Sequence, residues 1–173
     1  YAGIEIRYHE GAIAHPQQEK PFVARPAFDP NVAVLKLFPG ITQEVVEAVL
    51  SLPSLRGVVL ETFGSGNAPM VGWFLDALRS AVERGVVIVN VTQCVTGYVD
   101  MGRYETGILL QRLGLVSGRD ATTEATLTKL MYLFGQGLSS EEVKHLMTIP
   151  LRGELSLDQE IEGFTRELSL YRR

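Results

Sequence analysis

A chain of 173 residues, 46% of them hydrophobic, has the size of one globular domain and enough apolar side chains to bury a core. A formal net charge of −4 with no basic cluster argues against nucleic acid as a partner, and no apolar run approaches the roughly 20 residues that cross a bilayer. The lone cysteine, Cys94, leaves no internal disulfide, which favours a reducing compartment.

Residues 1–31 read as an interdomain arm from a missing N-terminal domain, and residues 32–173 as an α/β domain. The arm is polar and broken by Pro16, Pro21, Pro26 and Pro30. Ile4 and Ile6 suit one short strand belonging to a preceding domain. Tyr1 is not a natural start, so the chain is expected to be cut from a longer protein. Val32 to Leu37 is the first strand, stopped by Pro39-Gly40. Thr42 caps a helix through Leu50 that carries Val45, Val46 and Val49. Val58 to Thr62 is the second strand. It runs into Phe63-Gly64-Ser65-Gly66-Asn67-Ala68-Pro69, a glycine-rich turn in which Asn67 reads as the cap of the next helix and Pro69 as part of its first turn. That helix carries Val71, Phe74, Leu75, Leu78, Ala81 and Val82 on one face and ends at Arg84-Gly85. Val86 to Val91 is the third strand, closed by Thr92-Gln93-Cys94. A helix over about Tyr104 to Leu113 and a short fourth strand at Leu115-Val116 follow. Thr122 to Phe134 is helical with a stripe of Leu127, Leu130, Met131 and Phe134; Thr122, Thr126 and Thr128 read as helix-start and helix-surface residues. Ser139 with Glu142 fits a capping box, with Leu138 and Val143 as its staple, for a helix that ends before Pro150. Leu157, Ile161, Phe164 and Leu168 mark a last amphipathic helix, whose end at Arg166 to Arg173 is solvated.

The alternation of strand and helix implies an α/β fold: a small parallel β-sheet flanked by helices, flavodoxin- or Rossmann-like, with right-handed crossovers and a C-terminal helical segment. Such folds bind ligands where a strand passes through a glycine turn, because the backbone can approach the ligand and free N–H groups face it. The turn is not a dinucleotide fingerprint. Pro69 stands where the third glycine belongs, and the third strand ends in Asn90-Val91-Thr92 without a ribose-binding acid. No phosphate-binding lysine motif and no nucleophile elbow is present. His9, His15 and His145 lack metal-ligand spacing, so neither a metal nor a cofactor is expected. Cys94 reads either as a reactive thiol at the open end of the sheet or as a small buried hydrophobe; with no histidine close in sequence, the buried reading is preferred.

From about Val32 to Leu155 the chain resembles the C-terminal domain of the cytosolic, type I L-asparaginases. The segments that carry the resemblance are Glu61 to Pro69, Thr92-Gln93-Cys94-Val95-Thr96-Gly97-Tyr98-Val99, Met101 to Gly107, Asp120 to Leu130 and Leu151-Arg152-Gly153-Glu154-Leu155. The resemblance implies a cytoplasmic two-domain amidohydrolase that converts L-asparagine to L-aspartate and ammonia. In that family the catalytic threonines, aspartate and lysine lie in the N-terminal domain, within Thr-Gly-Gly-Thr and Thr-Asp-Thr segments that this chain lacks. It therefore contributes no catalytic residue by itself, and the isolated chain is expected to release no ammonia.

The resemblance further implies a homo-oligomer, a dimer or a tetramer, with active sites formed between subunits. Ser65, Gly66 and Asn67 would then border the asparagine bound by a neighbour, and Asp100 or Glu105 could meet the substrate amine. Some type I enzymes also bind asparagine as an effector. Carried over residue by residue, that site would use Glu61 and Cys94, with Thr62 and Gln93 beside them. Glu61 stands where the bacterial pattern has arginine. Its charge would repel an effector carboxylate, although it could still meet the amine. A hyperbolic rate curve for the full-length enzyme would speak against an arginine-type effector site, and a clear sigmoid would speak for it. Two other readings are an independent module binding an amino acid at the glycine turn and a purely structural dimerisation domain. Calorimetry with asparagine and sedimentation of the isolated chain separate them.

Overall fold

The computed structural model describes residues 23–102 and 104–157. In chain order these form β1 (Val32–Lys36), α1 (Gln43–Leu50), β2 (Gly57–Thr62), α2 (Gly72–Glu83), β3 (Val87–Thr92), α3 (Glu105–Arg112), β4 (Val116–Ser117), α4 (Thr123–Gly135) and α5 (Ser140–Met147). The strands make one parallel four-stranded sheet in the order β1-β2-β3-β4. The strand suggested at Ile4 and Ile6 and the helix suggested beyond Leu157 lie outside the described residues.

Successive side chains of a strand point to opposite faces, and the core divides accordingly. Leu35, Val58, Leu60 and Ile88 face one side, where Val46 and Leu50 of α1, Phe74, Leu78 and Ala81 of α2 and Leu110 of α3 cover them. Val59, Val87, Val89 and Val91 face the other side, against Leu130, Leu133 and Phe134 of α4 and Val143 and Met147 of α5. Burial on both faces is why β2 and β3 are almost wholly apolar. The strand order follows the sequence, so no reversal opens the crevice of a doubly wound sheet among the described strands. Any site at the strand ends must be built from loops.

The caps fall where the sequence places them. Thr42 accepts from the Val45 N–H and Thr122 from the Ala125 N–H, while Ser139 and Glu142 form a reciprocal capping box. Two expectations change. The second helix begins at Gly72 with Val71 as its cap, and Asn67 is not a cap. Asn67 instead pairs with Phe63: its N–H donates to the Phe63 carbonyl (2.8 Å) and its carbonyl accepts from the Phe63 N–H (2.9 Å). The chain doubles back there before the helix starts, which also puts Pro69 ahead of the helix. The stripe of α4 is rotated relative to expectation. Thr126, Lys129, Leu130, Leu133 and Phe134 are buried, so Thr126, 1% exposed, is not a surface residue. It lies four residues before Leu130, on the same helix face.

Residues 23–31 have no regular structure. Their end is held against α4 by the Asp29 N–H to the Met131 carbonyl (2.9 Å) and by Arg56, which pairs with Asp29 (2.9 Å) and lies 4.3 Å over the Phe134 ring.

Candidate functional site

The glycine turn grows from the carboxyl end of β2, where Thr62 is in register with Thr92 of β3. Gly66 has φ +105°, a conformation L-residues avoid, and a Cβ placed there would lie 2.7 Å from Val99 Cγ1 and 3.1 Å from Asn90 Nδ2. Glycine is thus required for both conformation and space. Behind it sits Asn90, fully buried in β3. Its Nδ2 donates to the Gly66 carbonyl (3.1 Å), and its Oδ1 accepts from the Thr62 hydroxyl (2.6 Å). One polar residue in an apolar strand is satisfied on both ends of its amide, as burial demands.

The neighbouring carbonyls are also turned inward. Gly64 O accepts from the Thr92 hydroxyl (2.5 Å) and Ser65 O from the Asp100 N–H (3.1 Å). With Gly66, three consecutive carbonyls are tied to the protein. The N–H groups of Gly64 and Ser65 make no hydrogen bond among the described residues, and Gly64 is exposed. The turn therefore offers donors to solvent and hides its acceptors. Asn67 adds one more: its Oδ1 accepts from the Thr106 hydroxyl at the start of α3 (2.5 Å), and its Nδ2 lies on the Gly64 side of the turn. Such a surface suits an oxygen-bearing, anionic or carbonyl ligand.

The structure brings Ser65, Gly66 and Asn67 together in this turn. The other candidates spread apart. Thr62 is fully buried, and its hydroxyl is committed to Asn90 and to the Val91 carbonyl. Glu61 points to the opposite face of the sheet, where it pairs with Lys36 (2.9 Å) and accepts from Thr123 (2.5 Å). Burial alone would raise its pKa, but the Thr123 hydroxyl and the Lys36 ammonium outweigh it and hold the carboxylate below its ordinary range. Gln93 donates to the Leu37 and Glu61 carbonyls (2.6 and 3.0 Å) and so staples β1 to β2. Cys94 is exposed, not buried, because the chain leaves the sheet at Thr92 and its N–H turns back to the Thr92 hydroxyl (3.0 Å). The Asp100 carboxylate accepts from the Gly102 N–H (3.1 Å), and Glu105 opens α3.

Asn90 and Thr106 were not among the candidates read from sequence. The first was detectable as a lone amide within Val86 to Val91; nothing local marks the second.

Two clefts lie elsewhere. One of about 490 Å³ is bounded by β4, α3 and α5, and one of about 520 Å³ lies between residues 23–28 and α4. Neither includes a residue of the glycine turn. The turn's donors sit on an open surface, bordered in sequence by the exposed Met70 and Val71, with the exposed Tyr104 just ahead of Thr106.

Comparison with known proteins follows the same residues. The Glutaminase/Asparaginase C-terminal domain family matches residues 31–147. L-asparaginase 1 of Escherichia coli (strain K12) is 42% identical over 157 residues, covering 91% of this chain and 46% of that protein. The 60 kDa lysophospholipase of Mus musculus is 46% identical over 156 residues, 90% of this chain and 27% of that protein. The crystal structure of L-asparaginase I from Vibrio cholerae O1 biovar eltor str. N16961 superposes with a TM-score of 0.75 at 46% identity, over 80% of this chain and 41% of that one. This chain thus spans less than half the length of these relatives.

Proposed function

This chain belongs to the glutaminase/asparaginase C-terminal domain family, and on that premise we propose that it is the substrate-bordering, assembling domain of a cytoplasmic amidohydrolase that converts L-asparagine to L-aspartate and ammonia. The nucleophile and its proton relay are assigned to residues outside this chain. The chain's share is binding: Gly64 and Ser65 N–H and Asn67 Nδ2 donate to oxygens of an asparagine held by a neighbouring subunit of a homo-oligomer. The observation that carries this reading is the inward turn of three successive carbonyls, which leaves a donor surface open rather than enclosed. An open half-site, bordered in sequence by the exposed Met70 and Val71, suits completion by another protein surface.

The test is Asn67→Ala in the full-length enzyme. Loss of a hydrogen bond to a charged or polarised oxygen should raise KM for asparagine about tenfold. An unchanged kcat and an unchanged KM would remove Asn67 from the substrate's surroundings.

The effector role rests on Glu61, Thr62, Gln93 and Cys94. The Glu61 carboxylate is engaged by Lys36 and Thr123, which keeps it from an effector amine, and Thr62 has no exposed surface. The rate of the full-length enzyme should therefore rise hyperbolically with asparagine. A sigmoid with a Hill coefficient clearly above one would instead support the effector site.

A further inference from the structure

We propose that Thr106 is the positioning residue of this half-site: its hydroxyl holds the Asn67 carboxamide by the oxygen and so presents the NH₂ group to an oxygen of the bound amino-acid amide. The proposal rests on the reading of Asn67 as a substrate contact. A free carboxamide turns about its last torsion and offers solvent either its oxygen or its NH₂. Only the second orientation donates to the ligand's carboxylate and carbonyl oxygens. The Thr106 hydroxyl donates to Asn67 Oδ1 at 2.5 Å, and the carboxamide stands in that second orientation. The Nδ2 is then left on the Gly64 side of the turn, 3.8 Å from where a Cβ on Gly64 would stand.

Both partners are fixed from behind. The Asn67 backbone is locked by its paired hydrogen bonds to Phe63. Thr106 sits in the first turn of α3, which rests directly on the backbone of Met101: a Cβ added to the adjacent Gly107 would lie 2.8 Å from Met101 Cα. A helical threonine has two staggered positions open to its hydroxyl, and the bond to Asn67 Oδ1 holds it in one of them. The donor is thereby set before substrate arrives, which spares its ordering on binding.

The experiment compares Thr106→Val, Thr106→Ser, Asn67→Ala and the Thr106→Val/Asn67→Ala double variant in the full-length enzyme, with thermal melts of each. Thr106→Val should raise KM about fivefold with little change in kcat, and Thr106→Ser should restore KM to within about twofold. Because both residues act through one contact, the double variant should be no worse than Asn67→Ala alone. Asn67→Asp keeps the acceptor for Thr106 but turns a carboxylate outward, and its KM should rise at least as far as that of Asn67→Ala. Should valine not fold, Thr106→Ala carries the same comparison. If Asn67→Ala is impaired while Thr106→Val or Thr106→Ala is not, or if the two losses simply add, the positioning role falls and the substrate contact stands. If Asn67→Ala itself is unimpaired, the underlying reading falls, and this proposal with it.

Discussion

Gly66→Ala destabilises this domain by about 3 kcal/mol, the sum expected of backbone strain and overpacking. The substitution places an L-residue at φ +105° and pushes a methyl to 2.7 Å from Val99 Cγ1, inside van der Waals contact. Val99 is 3% exposed and Asn90 not exposed at all, so neither has solvent into which to retreat. Gly40 supplies the control. It has φ +88° but nothing within 4 Å of an added Cβ, so Gly40→Ala reports strain alone and should cost about 1 kcal/mol. Denaturant titration of both variants measures the difference. A Gly66→Ala loss no larger than that of Gly40→Ala would mean the turn is not packed against Val99 and Asn90. Activity of the full-length enzyme should fall further than stability does, because relieving the clash moves the neighbouring Asn67.

Lys129→Met is the second large loss, again about 3 kcal/mol, the usual cost of removing one member of a buried ion pair. Lys129, 6% exposed, donates to the Ile149 carbonyl (2.6 Å) and pairs with Glu154 (2.6 Å). Glu154 also accepts from the N–H groups of Leu151 (2.9 Å) and Arg152 (2.6 Å). The network fastens the 149–155 segment to α4. Burial on its own would raise the Glu154 pKa. The Lys129 ammonium and the backbone donors overcome this and bring it from 4.5 to about 2. A carboxyl whose folded pKa lies below its unfolded value stabilises fully above the unfolded value. That stabilisation is lost as pH falls from 4.5 through about 2. Denaturation midpoints followed across this window should drop steeply in the unaltered protein and more gently in Lys129→Met. Parallel acid limbs for the two proteins would contradict the assignment.

Much of the fold is legible because its signals are local. Strands buried on both faces must be nearly all apolar, so Val58 to Leu60 and Val86 to Val91 stand out. Capping depends on residues three apart, so Thr42, Thr122 and Ser139 with Glu142 could be read directly. The rotation of the α4 stripe could not. Lys129 and Thr126 are polar, and only the 149–155 segment that supplies Lys129 with partners makes its burial tolerable. Cys94 misled for a related reason: cysteine is often buried, but exposure at a strand end depends on where the loop goes next.

The sequence alone determined the α/β layering, the order of strands and helices, the glycine turn and, through several ordered segments, the family resemblance. Each follows from periodicity, backbone freedom or residue identity within a short window. Tertiary structure alone decided what the turn offers a ligand. Asn90 lies 24 residues from Gly66, and Thr106 lies 39 residues from Asn67. The sheet register and the seating of α3 bring these pairs to hydrogen-bond distance, and with them the choice between acceptors turned inward and donors turned out. Likewise, Glu61 and Thr62 are adjacent in the chain but face opposite sides of the sheet, so one pairs with Lys36 and the other is sealed against Asn90. Hydrogen-bond partners act over a few ångströms, and only the folded chain sets which distant residues meet at that range.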